Sequence, residues 1–506
     1  MPIQRILQSW FINRELLYET DGGVVSRRLT AGVPQGSILG PTLWNIMYDS
    51  VLATALPDNA EAVAFADDLV LLVPGRTPAE ASGLARRAVD AVNNWMVAHQ
   101  LQIAPAKTEI VMVSNKKKDY KNIPVFVNGT RLTSSADIRY LGVRIHDRLS
   151  WRHVEFIANK ATKVAYALVR LMKNHSGPKC AKRRLLASVV DSVLRYAAPV
   201  WHDAVETRTC RGPLIRAQKT CALRVAFAFR TVAYKTAVAI AGIVPICRLV
   251  REDARCYQRL QTEDATANRE QIRNAERQAT LSMWQEEWDR DAADETASRY
   301  RVWTHRVLPD LVSWQTREHG EVNFHLCQVL SGHGFFRDYL HCMQFTSSPD
   351  CKQCPGVPET AEHAVFVCPR FDAVRHQHLG AYGVMSVTPD NLQQHLLRGQ
   401  GEWSSFAEVC RRITSTLQRE WDAERALPDP AQWRPGFDEA AERHRNDPEI
   451  RNERRNIDRN DARAGADEER RRAQPPQRSP SPASIAQLRL AVSLGEMRVA
   501  HIRSFS

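Results

Sequence analysis

Two groups of side chains in this sequence have the composition and spacing to do chemistry. The first is Asp67-Asp68, set in the middle of Ala62 to Val73, a run that is otherwise wholly apolar. Two apolar strands flanking a polar dipeptide predict a tight hairpin with the acids at its tip. Adjacent carboxylates offer the hard oxygen ligands that magnesium takes while keeping several of its waters. A pair of such ions can activate a hydroxyl and stabilise a leaving pyrophosphate. Asp67 is the first choice as ligand and Asp68 its neighbour; alone, the pair is equally well explained as a solvated turn. The second group is Cys351-x2-Cys354-x8-His363-x4-Cys368. Three thiols and one imidazole at this spacing suit one tetrahedral zinc ion, and a site filled by four protein ligands is structural.

The elements that must position these groups can be read from the surrounding pattern. Met1 to Tyr18 reads as a short helix running into a strand, and Leu16 to Thr30 as a hairpin turning at Asp21-Gly22-Gly23. A loop, Gly32-Val33-Pro34-Gln35-Gly36-Ser37, leads into an apolar helix from about Pro41 to Leu52. Thr77-Pro78-Ala79-Glu80 is a capping box that opens a helix bearing Leu84, Ala88, Ala91, Trp95 and His99 near one face. Strands follow at Glu109 to Ser114 and Tyr140 to Ile145, with a hairpin at Val125 to Leu132 around Asn128-Gly129. From Trp151 to about Gln344 the periodicity is helical, with breaks at Gly177-Pro178, Gly212-Pro213 and Pro245. Leu427 to Pro482 is crowded with charge and ends in proline-rich sequence, and reads as disordered or as a fluctuating charged helix, and Ile485 to Met497 as one helix.

Charge is unevenly spread. Arg152 to Arg259 holds 21 Lys and Arg against 6 Asp and Glu, an excess of 15 that is larger than the net +12 of the whole chain. Such a stripe is what neutralising phosphates requires, and Lys182-Arg183-Arg184 is its densest cluster. Eleven cysteines in 506 residues are too few for a disulfide scaffold, and no run of 18 apolar residues offers a membrane span. The first residues carry no signal-peptide pattern, so an intracellular, reducing setting is expected.

Taken together, the motifs resemble those of a known enzyme family. Gly32 to Pro41, followed about 25 residues later by Phe65-Ala66-Asp67-Asp68, resembles the palm of reverse transcriptases. Leu101-Gln102-Ile103-Ala104-Pro105-Ala106-Lys107-Thr108-Glu109 resembles the next palm motif, and Arg139-Tyr140-Leu141-Gly142-Val143 the one that grips the primer. Tyr196 to Trp201 and Arg216 to Thr220 resemble the thumb, and Leu330 to Phe336 and Pro369-Arg370-Phe371 match the same group. The likeness runs from about Gly23 to Trp421. It is nearest to non-LTR (LINE-type) retrotransposons of arthropods, in the group of type I elements that insert into ribosomal RNA genes.

That resemblance implies RNA-directed DNA synthesis at a nicked target site, with two magnesium ions at Asp67 and Asp68 and with Lys107 beside the triphosphate. Pro34, Gln35 and Gly36 would meet template and nucleotide, and Leu141 with Gly142 the primer. Element RNA, target DNA, their hybrid and dNTPs are the implied partners, with the nucleus as the site of integration and no membrane involved. The implied fold is α+β: a partial palm over 1–150, a basic helical thumb over 151–260, a helical connector over 261–344 and a zinc module over 345–376, which the family is thought to use on nucleic acid. A helical segment over 377–426 and a mostly disordered charged tail over 427–506 complete it. One departure matters. The family's palm carries a further catalytic aspartate on a strand before the Pro-Gln-Gly loop, and the 31 residues before Gly32 offer only Asp21, in a turn. The chain therefore reads as a C-terminal fragment of a polyprotein, inactive by itself, with fingers and endonuclease expected in the full polyprotein. The alternative is a decayed or domesticated copy that binds nucleic acid without catalysis.

Overall fold

The computed structural model describes residues 2–12, 14–29, 36–57, 59–114, 122–173, 177–262, 268–380, 387–426 and 487–494. These fall into two compact units that divide between His153 and Val154, with residues 487–494 belonging to the first.

The first unit begins with helix α1 (Pro2–Phe11) and the hairpin β1 (Glu15–Thr20) and β2 (Gly23–Arg28). Helix α2 (Gly40–Tyr48) then leads to the hairpin β3 (Glu61–Phe65) and β4 (Asp68–Pro74). Thr77 caps α3 (Pro78–Ala98) by accepting from the Glu80 amide, while Glu80 reaches back to the Arg76 amide, one residue beyond a strict capping box. Strand β5 (Glu109–Ser114) is followed by the hairpins β6 (Pro124–Val127) with β7 (Thr130–Thr133), and β8 (Asp137–Tyr140) with β9 (Val143–His146). The strand expected over Tyr140 to Ile145 is thus the middle of a hairpin. Leu141 (φ +44) and Gly142 (φ +80) both take the left-handed conformation that a two-residue turn demands.

A last strand, β10 (Gln487–Leu494), lies between β4 and β5 and runs parallel to both, giving the sheet order β3-β4-β10-β5. A helix was the expectation for Ile485 to Met497. The strand is favoured because Leu488, Leu490, Val492 and Leu494 alternate with a period of two. It also pairs the facing edges of β4 and β5, whose backbone groups would otherwise lie unpaired between two buried faces. On one face Leu69, Leu71, Val73, Ile110 and Met112 pack against Ala81, Ala85, Ala88, Val89 and Val92 of α3. On the other, Val70, Val111 and Val113 pack against Ile138 and Tyr140. The Asp67-Asp68 hairpin is therefore anchored on a strand buried from both sides.

The second unit is helical. Its first helices are α4 (Arg152–Val169), α5 (Cys180–Arg195), α6 (Ala198–Trp201), α7 (Arg208–Val225), α8 (Tyr234–Ala241) and α9 (Ile246–Thr262). There follow α10 (Arg269–Ala293), α11 (Arg299–Val307), α12 (Leu311–Thr316), α13 (Phe324–Ser331), α14 (Arg337–Cys342), α15 (Asp372–Leu379), α16 (Leu392–Arg398) and α17 (Gln400–Ala426). Gly212-Pro213, expected as a break, lies inside α7. The lost backbone donor is tolerated because Leu214, Ala217, Cys221 and Val225, on one face of that helix, are all buried. One core runs from Val154 through Trp201, Trp284 and Trp314 to Cys351, Cys368, Phe406 and Trp421. Residues that the sequence reading placed in thumb, connector and zinc segments share it. The charged stretch after Leu427 lies outside the described residues.

Gly320 shows how tight this core is. Its φ is +78, and a Cβ there would lie 2.2 Å from the indole of Trp403, which stacks on Trp314 at 5.3 Å. Gly320→Ala is expected to destabilise the second unit by about 3 kcal/mol or more, through overpacking and left-handed strain. Thermal unfolding of the variant measures it, and a loss under about 1 kcal/mol would mean that Trp403 repacks without cost.

Candidate active site and metal centre

The β3–β4 hairpin closes on Phe65 paired with Asp68, so Ala66 and Asp67 are its two central residues. Asp67 is exposed at the tip, and Asp68, half-buried, opens β4. Ala66 carries a φ of +52, a strained value for a residue with a Cβ. Its carbonyl accepts a 3.0 Å hydrogen bond from the Trp44 indole of α2. Trp44 stacks on Tyr48 (5.2 Å), Tyr48 meets Trp95 of α3 edge-on (5.7 Å), and Trp95 stacks on His99 (4.0 Å). Burial pushes the Tyr48 phenol well above its usual range, and the Asp67 and Asp68 carboxylates push it further. Reading α2 as merely apolar missed Trp44 and Tyr48, because nothing in their types distinguishes a bracing ring from a core ring.

The other palm candidates are only partly brought to this tip. Gln487 pairs with Asp68 and Arg489 with Glu109, so Lys107, exposed in a 3₁₀ turn just before β5, sits at the same end of the sheet as the acids. Two strand spacings separate them, about 10 Å. Gly36 takes φ +86 shortly before α2, while Pro34 and Gln35 lie outside the described residues. Leu141 and Gly142 form the β8–β9 turn.

In the second unit Cys351, Cys354, His363 and Cys368 offer ligand atoms that all lie within 4.8 Å of one another. The Cys351 amide donates to the Val357 carbonyl and the Val357 amide to the Cys354 carbonyl, with Gly356 (φ +76) turning the knuckle. His363 and Cys368 bracket one π-helical turn, His363–Val367. The Cys351 and Cys368 sulfurs are 3.8 Å apart, the edge length of a tetrahedron with metal–sulfur bonds of about 2.3 Å. His363 Nε2 is buried with no hydrogen-bond partner, and burial, with Arg370 and Arg375, holds its pKa below the usual value. A neutral imidazole with an open nitrogen is what ligation requires. Behind the cluster, Arg370 bridges Glu359 (2.8 Å) and Glu420 of α17 (3.3 Å), and Lys352 and Arg337 both reach Glu424. Sequence reading missed this clamp, whose members lie up to 87 positions apart. The Cys342 thiol is outside the cluster and accepts instead from Arg299.

The basic stripe divides in two. Arg195, Lys235, Arg248, Arg251, Arg255 and Arg259 are ion-paired with Asp253, Glu287, Asp291, Glu206 and Glu276. Lys160, Lys163, Lys179 and Lys182 are exposed. Arg183, expected to meet a phosphate backbone, is fully buried. It donates to the carbonyls of Pro178 (2.7 Å), Met172 (3.3 Å), Arg224 (2.8 Å) and Lys173, and lies 3.7 Å over the Phe227 ring. Arg184 is directed inward too, donating to the Ala241 carbonyl. Of the three predicted contacts, only Lys182 faces solvent.

The family model for reverse transcriptase (RNA-dependent DNA polymerase) matches residues 2–145, which include the Asp67-Asp68 hairpin. A 115 kDa protein of the type-1 retrotransposable element R1DM of Drosophila melanogaster is 26% identical over 422 residues, 80% of this chain and 40% of the relative. A Pol polyprotein of the type-1 element R1 from Nasonia vitripennis is 27% identical over 340 residues, 63% of this chain and 98% of the relative. Residues 2–145 thus match the reverse transcriptase family, and the longer likeness is to proteins of type-1 (R1) retrotransposable elements. An RNA-directed DNA polymerase of the mobile element jockey from Drosophila funebris shares 28% identity over 214 residues, 40% of this chain. No solved structure matches. The chain spans about two fifths of the length of the first of these relatives.

Proposed function

We propose that this chain carries the palm hairpin, thumb and C-terminal metal module of an R1-type polyprotein whose activity is copying element RNA into DNA at a nicked target, in the nucleus. The observation that carries this reading is the carboxylate pair at a braced hairpin tip within the matched region. Magnesium bound there would activate the primer hydroxyl and neutralise the leaving pyrophosphate. Asp67 and Asp68 would supply ligand oxygens, and Lys107, at the same end of the sheet, would supply positive charge toward the phosphates. The Cys351, Cys354, His363 and Cys368 set would hold zinc, because three thiolates and one imidazole in a tetrahedron match that ion best.

The strand paired beside Asp68 runs from Gln487 to Leu494 and contains no carboxylate. Residues 1–506 alone are therefore expected to bind a primer on RNA without extending it. Robust magnesium-dependent extension by the purified chain would overturn this expectation. In a polyprotein that includes this chain and does extend, Asp67→Asn should lower synthesis at least a thousandfold and leave RNA binding unchanged. Retained synthesis would show that the hairpin is not the polymerase site.

RNA, target DNA and their hybrid would lie along the exposed lysines of α4 and of the start of α5, where Lys179 is the N-cap. Affinity should fall steeply with salt, and replacing Lys160, Lys163, Lys179 and Lys182 by glutamine should flatten the log–log salt slope by about three. A slope that does not move would make these lysines a solvated face and place the phosphate contacts elsewhere.

A further inference from the structure

We infer that Trp44 is a positioning residue for the carboxylate pair: its indole N–H locks the central peptide of the β3–β4 turn and so fixes the direction in which Asp67 leaves the backbone. The inference rests on the metal-binding reading of Asp67 and Asp68, and it begins from the turn itself. Residues 65–68 form a two-residue hairpin turn with Ala66 and Asp67 at its centre. Two-residue hairpins take one of two related forms, in which either both central residues or only the first has positive φ. The forms interconvert by rotating the peptide that joins the two central residues. Here Ala66 has positive φ and Asp67 does not, so the turn is held in one of these forms.

The atom that would swing in that rotation is the Ala66 carbonyl oxygen, and it accepts from Trp44 Nε1 at 3.0 Å. Asn-Gly and Asp-Gly turns hold their form by residue type, as Asn128-Gly129 does with φ of +47 and +72. Ala66-Asp67 has no glycine, so its form must be imposed from outside. Trp44 is suited to impose it because it does not stand alone. The stack through Tyr48 and Trp95 to His99 ties it to α3, whose Ala85, Ala88, Val89 and Val92 are fully buried. Ser50 adds a second tie by accepting from Trp95 Nε1 at 3.2 Å. The column therefore carries the rigidity of the helix–sheet core to the exposed hairpin tip, and preorganised ligands cost less to order when an ion arrives.

Trp44→Phe tests this in the full chain, since it keeps an aromatic ring against Tyr48 and removes the indole donor, and the melting temperature reads the lost ring area separately. Two readouts are needed. Amide hydrogen exchange over residues 66–69 should quicken tenfold or more, while that of Leu71 to Val73 and the melting temperature of the first unit stay unchanged. Binding of Mn²⁺, counted by electron paramagnetic resonance, should weaken about tenfold in Trp44→Phe and vanish in Asp67→Asn. Unchanged exchange at 66–69 would overturn the positioning role, whatever the ion does. Mn²⁺ binding that Asp67→Asn leaves intact, or none in the unaltered chain, would overturn the metal reading instead, and the exchange result would still decide the role of Trp44. A general loss of protection across β4 would assign Trp44 to the core and also overturn the inference.

Discussion

Arg183→Met is expected to lower the melting temperature of the helical unit by roughly 10 °C, the largest effect of any single basic residue in the stripe. The guanidinium serves four carbonyls, those of Met172 and Lys173 just beyond α4, Pro178 ahead of α5 and Arg224 near the end of α7. Removing the donor takes a partner from all four carbonyls, and each one left buried without another costs about 1–3 kcal/mol. Methionine keeps the apolar stem and the contact with Phe227, so the loss reports the hydrogen bonds. With about 2–4 °C per kcal/mol for a unit of this size, a total near 4 kcal/mol gives the stated shift. Lys182→Met, at the exposed neighbour, should cost less than about 0.5 kcal/mol. Calorimetry of the two variants decides it, and equal effects would mean that Arg183 is not the staple its contacts describe.

Zinc removal should have a comparable reach. One zinc per chain is expected in protein purified reduced, falling below about 0.2 in Cys354→Ser. Structural zinc sites of this kind contribute on the order of 10 kcal/mol of apparent binding free energy. Cys351 and Cys368 belong to the same core as Phe406 and Trp421, and the Glu359–Arg370–Glu420 clamp ties the knuckle to α17. Stripping the metal should therefore loosen α15 and α17 as well as residues 345–376, and limited proteolysis should open sites in both helices. Cleavage confined to 345–376 would show that the module folds apart from its surroundings. Cys342→Ser is the control, and because Arg299 already engages that thiol it should leave the zinc content unchanged.

How far the sequence went can be judged residue by residue. The Asp67-Asp68 tip and the four-ligand cluster were legible because each depends on local pattern, a polar pair in an apolar run or thiols at fixed spacing. Arg183 was not, because a Lys-Arg-Arg run looks solvated until the ends of α4, α5 and α7 are seen to converge on its middle residue. Leu141-Gly142 was read as strand because the turn has apolar neighbours on both sides, and only the positive φ at both positions reveals the reversal. Strand β10 was misread as a helix because its partners lie about 380 and 420 residues earlier in the chain. Trp44 was invisible as a brace, since its acceptor is a backbone carbonyl, which no side-chain pattern encodes.

The core that runs from Val154 to Trp421 also sets a timetable. A ribosome adding about 5–20 residues per second needs tens of seconds between making α4 and making the half of α17 that carries Phe406, Ile413 and Trp421. Until then the inner faces of α13 and the knuckle have no lid. A nascent chain of this kind must either be sheltered over that interval or pair its apolar faces with the wrong neighbour. Slowing synthesis, by rare codons placed before residue 400, should therefore cut the soluble yield, whereas for a chain of small independent modules it would raise it.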